Sequence, residues 1–127
     1  MHVIRLQRPW IKRSDGGGAH RVDVPELART DNAYLAATTY HYRRDFHRPS
    51  GMGAATRVEL RIDGWSGELR SISLNGRPLR HEYDRVACDI TSLLQPHNRI
   101  ELELTAEEDR PARLSGAVTL VIIDDAP

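Results

Sequence analysis

Arg57–Leu79, RVELRIDGWSGELRSISLNGRPL, is the stretch whose reading decides the fold. Val58, Leu60 and Ile62 alternate with Arg57, Glu59 and Arg61, the period-2 pattern of a strand with one face against a core. Leu69, Ile72 and Leu74 supply a second apolar run. Asn75-Gly76 then predicts a tight hairpin, because both residues tolerate the positive φ that a type I′ turn requires. The stretch reads as strand, loop, strand, turn, strand.

The flanking sequence repeats this vocabulary. Thr38–His47 predicts a long strand, with Tyr40, Tyr42, Arg44 and Phe46 on one face and His41, Arg43, Asp45 and His47 on the other. The aromatic face is the one to bury, since the reverse would bury two histidines, an arginine and an aspartate; Arg44 then needs an oxygen partner or a place near the rim. Ile100, Leu102 and Leu104 alternate with Arg99, Glu101 and Glu103. Ser115–Ile123 is apolar on both parities, which predicts a strand covered on both faces. Val3–Arg13 is extended and interrupted by Pro9. Ser14–Gly18 is a turn, and His20–Val24 a short strand stopped by Pro25. Leu79–Tyr83 is expected to continue the third strand of the central stretch, Asp84-Arg85 to turn, and Val86–Cys88 to re-enter. Asp89–Leu94 predicts a short helical turn with Asp89 capping free N–H groups. Pro25–Ala37 is the other helical candidate, a turn or less. The sum is an all-β chain: one antiparallel β-sandwich over 1–127 of about eight strands, with little helix.

Composition narrows the function classes. A chain of 127 residues supports one core, and 28% well-mixed charge in an ordinary apolar background is not disordered. Net charge is zero, but Arg+Lys outnumber Asp+Glu by 11 to 6 over residues 1–62 and fall short by 7 to 12 over 63–127. A nucleic-acid binder usually shows a net basic domain, so no nucleic-acid partner is expected. The single cysteine, Cys88, excludes an internal disulfide. MHVIRLQRPW lacks the apolar region of a secretory peptide, and no run approaches the ~20 apolar residues of a membrane span. A cytoplasmic setting without membrane contact is the expectation.

From Tyr42 onward the motifs resemble those of the galactose-binding-domain-like jelly rolls, in the form found as the non-catalytic N-terminal sugar-binding module of family 2 glycoside hydrolases, the β-galactosidase and β-glucuronidase relatives. Tyr42-Arg43-Arg44-Asp45-Phe46 resembles that module's Tyr-x-Arg-x-Phe strand. Arg57–Gly64 is similar to its next strand, and Ile72-Ser73-Leu74-Asn75-Gly76-Arg77-Pro78-Leu79 to its hairpin. Asp89-Ile90-Thr91-Ser92-Leu93-Leu94-Gln95-Pro96-His97-Asn98-Arg99-Ile100 is similar to its turn and following strand, with His97 where a glycine is usual. The resemblance spans roughly residues 38–123 and implies a jelly roll and a carbohydrate-binding-like role. The barrel that holds the acid and nucleophile carboxylates of those enzymes has no counterpart in these residues, so no enzymatic activity is expected.

The residues themselves point to a binding role rather than a reaction. His41 and His47 share a strand face but lie about 20 Å apart at strand rise, too far for one metal ion; no metal or cofactor is expected at any of the six histidines. Glu101 and Glu103, about 6.5–7 Å apart, match a glycosidase pair in spacing, but their alternation with Ile100, Leu102 and Leu104 is that of a solvated strand face. Glu107-Glu108-Asp109 lacks the oxygen set of a calcium loop. The resemblance implies that Cys88, just before Asp89-Ile90-Thr91, takes a buried apolar position, and no nucleophile elbow surrounds Ser66. Saccharides present apolar C–H faces ringed by hydroxyls, so an aromatic platform beside polar groups suits them. Trp65, between Gly64 and Ser66-Gly67, is the candidate platform, with Asp63, Arg80, His81 and Tyr83 as its binding companions and Glu68, Arg70 and Glu82 in reach. Trp10 is the weaker candidate because its strand context favours packing. Two readings follow: a non-catalytic carbohydrate-binding module, or an intracellular interaction domain that binds a partner protein through a sheet edge or charged loops.

Overall fold

The computed structural model describes residues 1–27, 38–107 and 110–124. The described residues form ten strands and one 3-10 turn: β1 His2–Arg5, β2 Trp10–Ser14, β3 Ala19–Val22, β4 Thr39–His47, β5 Thr56–Ile62, β6 Glu68–Leu74, β7 Arg77–Pro78, β8 Val86–Asp89, the turn Thr91–Leu93, β9 His97–Thr105 and β10 Val118–Asp124. They assemble into two antiparallel sheets, β1-β10-β5-β8 and β3-β2-β4-β9-β6-β7. This is the sandwich expected, with more strands than the eight read from sequence. Pro9 accounts for part of the difference: it splits the first extended segment, and the halves join opposite sheets.

The core lies between the inner faces and follows the alternation. Val58, Leu60 and Ile62 of β5 meet Ile122, Leu120 and Val118 of β10 in register, and Ile100, Leu102 and Leu104 of β9 face Leu74, Ile72 and Leu69 of β6. All but Ile122, half-buried at the edge of this cluster, are buried. Leu69 and Ile72 are of opposite parity, yet both point inward, because a bulge between Leu69 and Ser71 shifts the register. Tyr42 and Phe46 are buried and His41, Arg43, Asp45 and His47 face out, so the aromatic face of β4 is the inner one. Arg44 sits half-buried, donates to the Asp45 carbonyl and leaves its Nε unpartnered. Trp10 is fully buried and its indole N–H donates to the Leu6 carbonyl at 2.7 Å, a packing role. Cys88 is half-buried against the core. On β10 Val121 is buried on the outer face, while Thr119 and Ile123 beside it are half-buried, so that face is only partly covered.

Asn75 and Gly76 have φ of 53° and 80°, the turn expected of Asn-Gly. The strand after it is shorter than expected. β7 ends at Pro78, although Leu79 N–H still donates to the Ile72 carbonyl at 2.9 Å; residues 80–85 then leave the sheet as a loop. Asp89 accepts from the Thr91 N–H at 2.9 Å and its hydroxyl at 2.6 Å, which caps the 3-10 turn and holds the Asp89 carboxyl below its ordinary range. Thr91 Oγ1 in turn accepts from Val58 N–H at 2.8 Å. Asn98, buried at the start of β9, accepts from Gln95 N–H at 2.8 Å and Asn75 Nδ2 at 3.0 Å, and donates to the Gln95 carbonyl at 2.8 Å. It thereby joins the hairpin to the 3-10 turn. Of the Pro25–Ala37 candidate helix, residues 28–37 lie outside the described residues, and Pro25–Leu27 is not helical. No helix among the described residues is long and apolar enough to cross a membrane.

Candidate functional site

Trp65 sits in the loop that carries the chain from β5 in one sheet to β6 in the other. Two close backbone approaches fix that loop. Gly116 N–H donates to the Gly64 carbonyl at 2.9 Å, and a Cβ on Gly116 would lie 2.4 Å from Gly64 N. Gly67, at φ 92°, lies so near β9 that a Cβ would meet the Thr105 carbonyl at 2.7 Å. Between these points Ser66 exchanges both backbone hydrogen bonds with Arg113, at 2.8 and 3.1 Å. At Gly67 and Gly116, backbone passes where a side chain would be.

Held this way, the half-buried indole packs one part against the core and presents another to a groove of about 410 Å³ lined by Trp65, Gly67, Glu68, Leu69, His81, Tyr83, Asp84, Glu107 and Arg110. The His81 ring stands edge-on to the indole, 6.2 Å between ring centres at 84°. Tyr83 is 91% exposed, a phenol left in solvent at the groove's lip. Arg110 donates to Glu107 Oε1 at 2.8 Å; that carboxylate, with the Tyr83 hydroxyl, holds the guanidinium charged more firmly than usual.

Of the five residues expected here, the structure brings three together: Trp65, His81 and Tyr83. Asp63 and Arg80 are exposed and do not line the groove; Asp63 N–H is bound to the Ala117 carbonyl at 3.0 Å on the β10 side. Glu107 and Arg110, which belong to a charged loop in the sequence, form the opposite wall through a mutual backbone pair at 2.8 and 3.1 Å. Glu108 and Asp109 lie outside the described residues.

A polar cluster absent from the sequence reading supports that wall. Glu26 pairs with Lys12 at 3.0 Å with both side chains nearly buried, accepts from the Tyr42 hydroxyl and accepts from Leu114 N–H at 2.8 Å. Lys12 donates to the Ala112 carbonyl at 3.2 Å and lies 4.8 Å from the Tyr40 ring centre and 5.1 Å from that of Tyr42. Residues 112–114 are therefore clamped on one side by Glu26 and Lys12 and on the other by Ser66. Burial, and then the Glu26 charge, push the Tyr42 phenol well above its ordinary pKa. The only clue in sequence is that Lys12 is the chain's sole lysine.

Glu101 and Glu103 lie on the outer face of the six-stranded sheet, Glu101 exposed and Glu103 half-buried. Glu103 faces His41 at 3.4 Å, and His41 also meets Asp15 at 2.7 Å. Both line a groove of about 360 Å³ on that face together with Arg13, His41, Arg43, Ser71 and Ser73, a polar surface rather than an enclosed apolar site. Among the described residues no cluster of three or more His, Cys, Asp or Glu side chains is disposed to hold a metal ion.

The described residues form a two-sheet β-sandwich with a groove beside Trp65. No protein-family model matches the chain and no curated protein matches it. Solved structures do. The FMN-binding β-glucuronidase from Faecalibacterium prausnitzii L2-6 superposes with a TM-score of 0.78 at 20% identity, over 98% of this chain and 23% of that one. The Bifidobacterium dentium β-glucuronidase complexed with coumarin-3-O-glucuronide gives 0.75 at 16% identity, over 97% and 30%. A β-D-mannosidase from Dictyoglomus thermophilum gives 0.74 at 12% identity, over 95% and 22%. The chain has the fold of a sandwich module of family 2 glycoside hydrolases and spans about a quarter of the length of the chains it matches.

Proposed function

We propose that this sandwich is a non-catalytic carbohydrate-binding module whose site is the Trp65–His81–Tyr83 groove. The observation behind this reading is the convergence of an indole, an imidazole and an exposed phenol on one groove rimmed by Glu68, Asp84, Glu107 and Arg110. The aromatic faces take the C–H face of a pyranose, and the carboxylates accept its hydroxyls in charge-assisted hydrogen bonds. Arg110 is tied to Glu107 at 2.8 Å and Arg70 to Glu68 at 3.6 Å, so Asp84 leaves the rim with an excess of negative charge, and the site favours a neutral sugar over a uronate. The likeness to modules of glycosidases supports the carbohydrate class but does not choose the sugar.

Calorimetric titration with methyl β-galactoside, β-mannoside, β-glucoside and β-glucuronide, and with short oligosaccharides, tests the proposal. Saturable heats with at least one neutral sugar, weaker with the glucuronide and lost in Trp65→Ala, are expected. Flat heats across the panel, together with a dimer in sedimentation, would replace this reading with the assembly domain.

A further inference from the structure

The β4–β9 ladder sets His47 directly opposite His97, at the far end of β9 from the groove. Thr105 pairs with Glu68 of that groove, and the eight intervening residue steps span about 27 Å at strand rise. Both imidazoles are exposed, and their ring centres lie 4.7 Å apart with the planes at 62°. They line an open groove of about 680 Å³ with Asp45, Gln95, Arg99 and Glu101. Arg99, the arginine that lines this groove, is drawn off by Asp45, Nε to Oδ1 at 3.0 Å.

The geometry points to a two-histidine chelate for a divalent transition metal, with Cu²⁺ preferred. Rotation about Cβ–Cγ turns the ring nitrogens but leaves the ring centre almost in place, and this torsion is soft in histidine. The separation of the centres is therefore the deciding quantity. A metal ~2.0–2.1 Å from each nitrogen stands about 3.2 Å from each ring centre. Two centres 4.7 Å apart then subtend an angle of roughly 95° at the metal, given that bond length. Cis positions of a square-planar or tetragonal ion are separated by about 90°, the preference of Cu²⁺ and Ni²⁺ with nitrogen ligands. A tetrahedral ion such as Zn²⁺ needs about 109°, or centres about 5.2 Å apart at the same bond length. Geometry and the Irving–Williams order thus agree on Cu²⁺, then Ni²⁺, then Zn²⁺. The aqua ion gives up two waters to two neutral imidazoles and keeps water at its other positions. Sequence spacing hid this pair, because fifty residues separate its members and only the strand register joins them.

The test uses the whole chain carrying His2→Ala, since an imidazole beside an amino terminus is itself a copper ligand. CuCl₂, NiCl₂ and ZnCl₂ are titrated by calorimetry, and the Cu²⁺ adduct is examined by electron paramagnetic resonance. One equivalent of Cu²⁺ with two imidazole nitrogens in the hyperfine pattern is expected. Further replacement of His47→Ala or His97→Ala should weaken binding ~ten-fold or more, the scale seen when even an outer-shell partner is lost; His41→Ala and His20→Ala should not. Circular dichroism and metal-free melting confirm that the variants fold. Absence of saturable one-equivalent binding, affinity retained in either site variant, or Zn²⁺ binding more tightly than Cu²⁺ would overturn the inference. None of these outcomes depends on whether the distant groove binds a sugar.

Discussion

Replacing Asn98 with alanine is the sharpest probe of how the two-layer fold is locked. Asn98 is 3% exposed and makes three hydrogen bonds of ordinary length, from Gln95 N–H and Asn75 Nδ2 and to the Gln95 carbonyl, with a fourth contact to the Phe46 carbonyl at 3.4 Å. At a net ~1 kcal/mol each, the three good bonds amount to about 3 kcal/mol. Water entering from the neighbouring groove moves this toward ~2 kcal/mol, and leaving Gln95 N–H dry moves it toward ~4 kcal/mol. In urea unfolding the midpoint should fall with the slope unchanged. The melting temperature should drop by about 10 °C, since a chain of this length loses roughly 3–5 °C per kcal/mol. Asn98→Asp keeps both acceptor bonds but turns an oxygen toward the Gln95 carbonyl. Its deficit against the native chain should therefore shrink at low pH, where the protonated acid can donate. A loss below ~0.5 kcal/mol for Asn98→Ala, within the range of an unremarkable surface change, would refute the claim that this side chain ties the hairpin to the 3-10 turn.

Three further outcomes are expected. Ile72→Ala should cost ~2–5 kcal/mol in urea unfolding as a core truncation, and a change under ~0.5 kcal/mol would contradict the register beyond the bulge. Because the folded chain holds the Tyr42 proton more tightly than the unfolded one, the unfolded state binds fewer protons above pH ~10, and stability should fall as pH rises from there. Tyr42→Phe should flatten that slope, and an unchanged slope would dissociate Tyr42 from it. Gly67→Ala combines a positive φ with a Cβ 2.7 Å from the Thr105 carbonyl, whereas Gly76→Ala has a positive φ and open space. Gly76→Ala should show only the backbone strain of ~1–3 kcal/mol, and Gly67→Ala clearly more, by thermal melting; equal losses would mean that the Trp65 loop does not press on β9.

What was legible in the sequence was what neighbouring residues decide among themselves. The alternation over Val58–Ile62 and Ile100–Leu104, the Asn75-Gly76 turn and the Asp89 cap all depend on contacts within a few residues, and each has its expected form. Leu69 and Ile72 were read as one apolar run although their parity conflicts, and only pairing with β9 revealed the bulge that reconciles them. The residues after Pro78 look strand-like, but only Leu79 still bonds back to Ile72, and 80–85 turn away as a loop. For the groove, Trp65, His81 and Tyr83 were legible as aromatics near one hairpin. Asp63 and Arg80 were chosen by proximity in sequence, which does not say which way a loop residue faces. Glu107 and Arg110, and the Lys12–Glu26–Tyr42 cluster behind them, join segments up to 100 residues apart, and no local pattern announces them.

The two tryptophans give the central claim its most direct measurement. Trp10 is buried with its indole N–H bound to the Leu6 carbonyl, and Trp65 borders the groove. In ¹H–¹⁵N spectra recorded during titration with the neutral saccharide panel, the Trp65 indole N–H peak should move saturably while that of Trp10 stays still. A Trp65 peak unmoved by every sugar, or both peaks drifting together without saturation, would contradict the assignment of this groove as the saccharide site.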